Sequence, residues 1–211
     1  MTQTTRGRFI SLEGGEGVGK STQSRALVAA LRARGIEVVE TREPGGSTGA
    51  EAIRKLLLEG GADRWGARAE ALLFAAARAD HVDKTILPAL EAGKWVICDR
   101  FLDSSIAYQG GADGLGADAI RALHAIGSAG LLPDRTLLLS LPEETAMARE
   151  AARDAGRPDR FGARDPEYHR RVTGTFRALA EAEPARWRIV EANGGPEEVT
   201  EALLAALGDM L

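Results

Sequence analysis

Eight residues, Gly14-Gly15-Glu16-Gly17-Val18-Gly19-Lys20-Ser21, constrain this chain more than any other feature. They match G-x-x-x-x-G-K-[ST] in full. A β-rich run, Arg8–Glu13, precedes them. Behind them Ser21–Arg34 carries Leu27, Ala30 and Leu31 at helical spacing before Gly35. Strand, glycine loop and helix in that order form a cradle for phosphate. The glycines let successive N–H groups converge on phosphate oxygens, and the helix N-terminus adds its positive end. In such a loop Lys20 reaches the β- and γ-phosphates of a nucleoside triphosphate, and the Ser21 hydroxyl holds Mg²⁺.

The rest of the chain keeps the same alternation. Strands are expected at Ile36–Thr41, Trp95–Cys98, Arg135–Leu141 and, more weakly, Arg186–Ala192. Helices are expected at Gly49–Glu59, Ala67–Ala92, Glu143–Ala152 and Glu197–Leu207. Trp95–Cys98 is apolar throughout, as a strand covered on both faces must be. The pattern predicts an α/β fold with a five-stranded parallel sheet between helical layers.

Composition narrows the partners. The 211 residues carry 31 acids against 27 bases, a net charge of −4, and only four of the bases are Lys. Such a chain has no general affinity for nucleic acid or a membrane, so any anion it binds must meet a local cluster. One such cluster exists. Arg149–Arg177 holds eight Arg against five acids and is locally +3. A single cysteine, Cys98, excludes an internal disulfide and a thiolate metal cage. No apolar run approaches ~18 residues and no signal-peptide core follows the N-terminus, so a cytoplasmic protein of one domain, 1–211, is expected.

Asp99-Arg100 closes the third strand, where a parallel sheet presents its ligand crevice. There Asp99 can orient a magnesium shell and Arg100 can clamp a phosphate. The segment Asp99-Arg100-Phe101-Leu102-Asp103-Ser104-Ser105-Ile106-Ala107-Tyr108-Gln109-Gly110 resembles the signature of bacterial thymidylate kinases. So do Thr41-Arg42-Glu43-Pro44-Gly45-Gly46, Glu51-Ala52-Ile53-Arg54 and Leu73-Phe74-Ala75-Ala76-Ala77-Arg78. With the phosphate loop they stand in the family's order from about Phe9 to Leu207.

The resemblance implies a three-layer P-loop kinase fold with a short lid, and the reaction ATP + dTMP to ADP + dTDP with Mg²⁺. Gly14, Gly15, Glu16, Gly17, Val18, Gly19, Lys20, Ser21 and Thr22 would bind ATP, with Ser21 and Asp99 holding the metal. Phe74 would stack on thymine and Arg78 would bond a base carbonyl, at i and i+4 on one helix face. Ser105 and Gln109 would sit at the base edge and Tyr108 against the deoxyribose. Arg54 and Arg100 would hold the monophosphate, over a Glu43–Pro44 peptide in the cis form. Glu43 and Ser104 complete the implied substrate-binding set, and Glu16 would contact the nucleotide or its water. The family divides by where it keeps a catalytic charge. Gly17 offers none in the loop, so this chain resembles the kind that uses a mobile lid, here about 149–164. Arg153 is the first candidate and Arg149 the second, followed by Arg157 and Arg160. Arg170, Arg171 and Arg177 fit a solvated helix face.

The family is commonly dimeric, and Ala67–Ala92 has more small residues than one buried face requires, so a two-fold dimer through that helix is expected. Cys98 reads as inert in a strand, and Trp65, Trp95 and Trp187 as packing residues. A GTP-dependent switch would need an Asn-Lys-x-Asp segment, and the chain has none. Asp113-Gly114-Leu115-Gly116 fits Asp-x-x-Gly but reads most simply as a turn.

Overall fold

The computed structural model of the chain describes residues 6–61, 63–154, 160–162 and 164–211. Five parallel strands form one sheet in the order β2-β3-β1-β4-β5. They are β1 (Phe9–Glu13), β2 (Val38–Arg42), β3 (Trp95–Asp99), β4 (Arg135–Ser140) and β5 (Trp187–Glu191). Each lies within two residues of its predicted span. Side chains alternate across the sheet and feed two cores. Phe9, Val96, Cys98 and Leu138 face one, while Ile10, Leu12, Ile97, Leu137 and Leu139 face the other. That double burial is why these strands read as continuous apolar runs.

Helices α1 (Lys20–Ala33) and α9 (Pro196–Ala205) cover the second face. Leu27, Leu31 and Leu203 are fully buried there, a contribution of ~2 kcal/mol each. The other face carries α3 (Ala67–His81), α6 (Ala117–Ser128) and α8 (Pro166–Ala182). Between them stand α2 (Thr48–Leu58), α4 (Leu87–Glu91), α5 (Leu102–Ser105) and α7 (Glu143–Asp154).

Several expectations need correction. The helix predicted over 67–92 is interrupted by a π-helical turn at Val82–Ile86, with Leu87 N–H donating to Val82 O. Pro88 explains the wider turn, since it has no N–H for the carbonyl four residues back and its ring crowds that carbonyl. A second π-helical stretch, Ile106–Ala112, continues α5. Helices α6 and α8 extend the sequence reading. The start of α8 carries a readable signal, because Asp165 accepts from Tyr168 N–H at 2.8 Å and Pro166 opens the helix. Trp95 and Trp187 are buried, but Trp65 is only half-buried and donates Nε1–H to Leu56 O. Small residues on α3 are used partly within the chain, since Gly127 of α6 sits close to Ala75 and Ala79.

Candidate active site

The connections after β1 and β4 leave in opposite directions, so a crevice opens above the C-terminal ends of neighbouring strands. The glycine loop lies in it. Gly14, Gly17 and Gly19 have φ of 144°, 71° and 93°, conformations that side chains resist, and so the loop can curl. Val18 anchors it, buried in the core under α1. Lys20 Nζ donates to Gly14 O and Gly15 O at 3.1 and 2.6 Å. Burial, and then the neighbouring Arg100, lower the Lys20 ammonium to about 8 despite Glu16, Asp99 and Glu13. A buried cation under that pressure is stabilised by any anion that enters. Ser21 and Thr22 are exposed on the first turn of α1 and open into the same cavity of about 460 Å³.

The register of β3 sets Asp99 beside Leu12 of β1 and Arg42 of β2. Ser21 Oγ donates to Asp99 Oδ2 at 2.6 Å. Asp99 Oδ1 is buried and has no hydrogen-bond partner among the described residues. A hydroxyl beside a carboxylate with one orphaned oxygen fits a small hard cation that takes its other ligands from phosphate and water.

Arg100 joins the two halves of the cavity. Its Nη1 donates to Gly14 O and Ser104 Oγ at 3.0 and 3.1 Å, and its Nη2 to Glu16 Oε1 at 2.7 Å and Tyr108 Oη at 3.2 Å. Burial alone would lower its pKa. Tyr108, Glu16, Asp99 and Glu13 outweigh that and hold it above the ordinary arginine range. Its backbone has φ of 69°, a left-handed conformation that costs a non-glycine ~1–3 kcal/mol. Buried Glu13 fixes the strained turn, accepting Phe101 N–H at 2.8 Å and Ser104 Oγ–H at 2.6 Å. Beneath the turn the Cys98 thiol donates to Arg100 O at 2.9 Å, and burial pushes its pKa well up, as an inert thiol requires.

The second half of the cavity is built on one stripe of α3. Glu70, Phe74 and Arg78 follow at four-residue spacing, with His81 below. Phe74 meets Phe161 edge to face at 5.8 Å. Arg78 is buried and donates Nε–H to Glu43 Oε2 at 2.8 Å and Nη2–H to Ser105 Oγ at 2.7 Å. His81 Nδ1 meets Glu43 Oε1 at 3.0 Å, and its Nε2 meets Thr41 Oγ1 at 2.7 Å. Glu43 thus braces Arg78 from beneath. The Glu43–Pro44 peptide is cis, and Pro44 O accepts from Arg54 Nη1 at 2.6 Å. Tyr108 Oη donates to Glu16 Oε1 at 3.0 Å, and Gln109 Nε2 to Glu70 Oε1 at 2.9 Å.

The lid candidates separate. Arg160 is buried, donating to Leu57 O at 2.9 Å and paired with Glu70. Arg149, midway along α7, donates to Ala192 O at 3.2 Å. The side chain of Arg153 and all of Arg157 lie outside the described residues.

Residues 12–203 match the family model described as thymidylate kinase. A thymidylate kinase from Rhizorhabdus wittichii is 70% identical over 205 residues, which cover 97% of this chain and 99% of that one. The chain belongs to the thymidylate kinase family. Its likeness to the thymidylate kinase of Gluconobacter oxydans is 51% identity over 211 residues, 98% of this chain and 96% of that one. The crystal structure of thymidylate kinase from Ehrlichia chaffeensis aligns with a TM-score of 0.76 at 30% identity, over 96% of this chain and 99% of that one.

The described residues that the resemblance to this family singled out for dTMP line one cavity, as do Glu16, Gly17, Gly19, Lys20, Ser21 and Thr22 of the phosphate loop. Gly14 and Gly15 accept from Lys20, while Val18 is buried in the core and, with Gly15 and Glu16, borders a neighbouring cavity of about 850 Å³. Glu13, Glu70 and His81 escaped the sequence reading. A carboxylate closing an apolar strand or opening a helix looks like an ordinary end charge, and a lone histidine looks like packing. For Glu70 the four-residue spacing to Phe74 and Arg78 was the available signal.

Proposed function

We propose that this thymidylate kinase transfers the γ-phosphoryl group of ATP to the 5′-phosphate of dTMP on the residues named above, with Mg²⁺ at Ser21 and Asp99. ADP and dTDP are the products, a step that serves dTTP synthesis and DNA replication. The observation that carries this reading is the position of Arg100, whose guanidinium bonds both the phosphate loop at Gly14 and the acceptor side at Ser104.

A dTMP phosphate oxygen attacks the γ-phosphorus, and the bond to the β–γ bridging oxygen breaks with its electron pair left on ADP. The protein contributes position and charge. Lys20 and the loop N–H groups hold the β- and γ-phosphates, Arg54 and Arg100 hold the dTMP phosphate, and Phe74 and Arg78 hold the base. Bound at Ser21 and Asp99, Mg²⁺ would supply charge against the triphosphate oxygens. An arginine of the 149–164 region meets the charge on the transferring group, because Gly17 cannot. The chain acts as one domain in the cytoplasm, paired two-fold through the 67–92 helical region, without a nucleic-acid or membrane partner. Exposed Leu72 and Ile126 support the pairing. Among the described residues no helix is long and apolar enough to cross a membrane.

A coupled ADP-release assay over nucleoside monophosphates tests the reading. dTMP should be used best, dUMP less well by at most ~1–3 kcal/mol for the lost methyl contact, and purine monophosphates near background. Turnover of AMP or GMP at rates comparable to dTMP would sink it.

A further inference from the structure

Gln109 lines the acceptor cavity, and what its amide presents there is decided from behind. Its side chain makes one hydrogen bond among the described residues, from Nε2 to Glu70 Oε1 at 2.9 Å. Glu70 is itself buried at 1% exposure, and its other oxygen, Oε2, is taken by Arg160. A carboxylate paired with a guanidinium offers acceptors only. The amide nitrogen must therefore face Glu70, and the amide carbonyl is left for the cavity.

We propose that Glu70 is a positioning residue for base selection, holding the Gln109 carbonyl toward the base so that the site takes a pyrimidine with an N3–H and rejects cytosine. The inference rests on the dTMP-kinase reading and deepens it. Thymine and uracil carry a donor at N3. Cytosine carries an acceptor there, and two acceptors would face each other at a Gln109 that is only 1% exposed. An unmatched pair of that kind costs far more than a missing methyl, because neither group recovers the hydrogen bond it had in water. Arg160 completes the device from outside the cavity. It locks the second Glu70 oxygen and is anchored in turn by Leu57 O at 2.9 Å.

Glu70→Gln removes the constraint, since a glutamine can accept from Nε2 of Gln109 or donate to its Oε1. Gln109 can then turn either face to the base. The measurement is kcat/KM for dTMP and for dCMP, in the wild type and in E70Q. The expected result is a dTMP-to-dCMP ratio at least about tenfold lower in E70Q, with the dTMP loss carried by KM rather than kcat. E70Q also leaves the Arg160 charge buried without its partner, so E70Q/R160M, which removes both charges, is assayed beside it and should show the same fall. A folded variant whose dTMP KM rises while the ratio stays at the wild-type value overturns the proposal, for Glu70 would then only hold the fold. A third arm needs no variant. Wild-type protein should use N3-methyl-dTMP at least about a hundredfold less well than dTMP, and equal use overturns the proposal as well. Failure of the wild type to turn over dTMP at all would count against the kinase reading instead.

Discussion

Ser21 and Asp99, 78 residues apart in the chain, meet through a 2.6 Å hydrogen bond between hydroxyl and carboxylate. The contact ties the first turn of α1 to the end of β3 and leaves Asp99 Oδ1 buried without a partner. Asp99→Asn keeps the shape and removes the charge. Its kcat should fall at least about a hundredfold, ~2.7 kcal/mol of barrier, and the Mg²⁺ needed for half-maximal rate should rise. The dTMP KM should change little, since Asp99 serves the other substrate. Steady-state kinetics over a Mg²⁺ series decide it, and a D99N enzyme with normal metal dependence would remove Asp99 from the metal's shell.

Lys20 gives a complementary expectation. Its ammonium is buried and pressed down to about 8 by that burial and by Arg100, so the free protein is strained by its own phosphate site. Lys20→Ala should cost several orders of magnitude in turnover while the fold survives with undiminished thermal stability. Retention of more than a tenth of wild-type turnover contradicts the role.

Glu13 predicts a pH dependence of stability. Its carboxyl is pushed up from 4.5 to about 8, first by burial and then by Asp103. Between those values the folded chain keeps a proton that the unfolded chain has released, so stability falls as pH rises through that window. Glu13→Gln keeps an acceptor for Phe101 N–H, puts an amide donor in place of the oxygen that accepts from Ser104, and carries no titrating proton. From about pH 5 to about pH 8 the wild-type Tm should therefore decline relative to that of E13Q. Parallel Tm curves for the two proteins would show that Glu13 does not titrate in this range.

Legibility in the sequence followed burial. β1, β3 and β4 are readable because both faces are covered, so Phe9–Leu12 or Trp95–Cys98 admit no other element. The phosphate loop and Asp99-Arg100 are readable because their chemistry requires fixed spacing. The break at Val82–Ile86 is not, because the periodicity of 67–92 is helical throughout and only Pro88 marks the disturbance. Glu13, Glu70 and Glu43 are buried carboxylates whose partners come from residues 35 to 91 positions away. No local pattern records such a partner. The orientation of the Gln109 amide likewise depends on Glu70 rather than on Gln109 itself.

The proposed pairing rests on a surface. Leu72 of α3 is 56% exposed and Ile126 of α6 is 85% exposed, large apolar groups that a lone chain would leave in water. Sedimentation at micromolar concentration should give twice the 22.4 kDa chain mass, and Leu72→Glu should shift the particle to the single-chain value. A wild-type particle at 22.4 kDa refutes the pairing.

The last expectation concerns the arginine that meets the transferring phosphoryl group. Four were candidates by sequence, and the structure gives two of them different surroundings. Arg160 is buried against Glu70 and Leu57 O, so Arg160→Ala strands a buried carboxylate. Breaking such a pair costs ~3–5 kcal/mol of stability, and by releasing Glu70 it should raise the dTMP KM. Arg149 stands on α7 with an exposed side chain and donates to Ala192 O at 3.2 Å, beyond β5. A group acting mainly in the transition state lowers kcat and leaves the dTMP KM alone, whereas one that only holds ATP raises the ATP KM. At saturating ATP and dTMP, one of Arg149→Ala, Arg153→Ala or Arg157→Ala should therefore cut kcat at least about a hundredfold. Arg160→Ala should act on stability and dTMP affinity instead. If all three keep near-normal turnover, the lid does not supply the charge, and the barrier must be lowered by Lys20 and Arg100 alone.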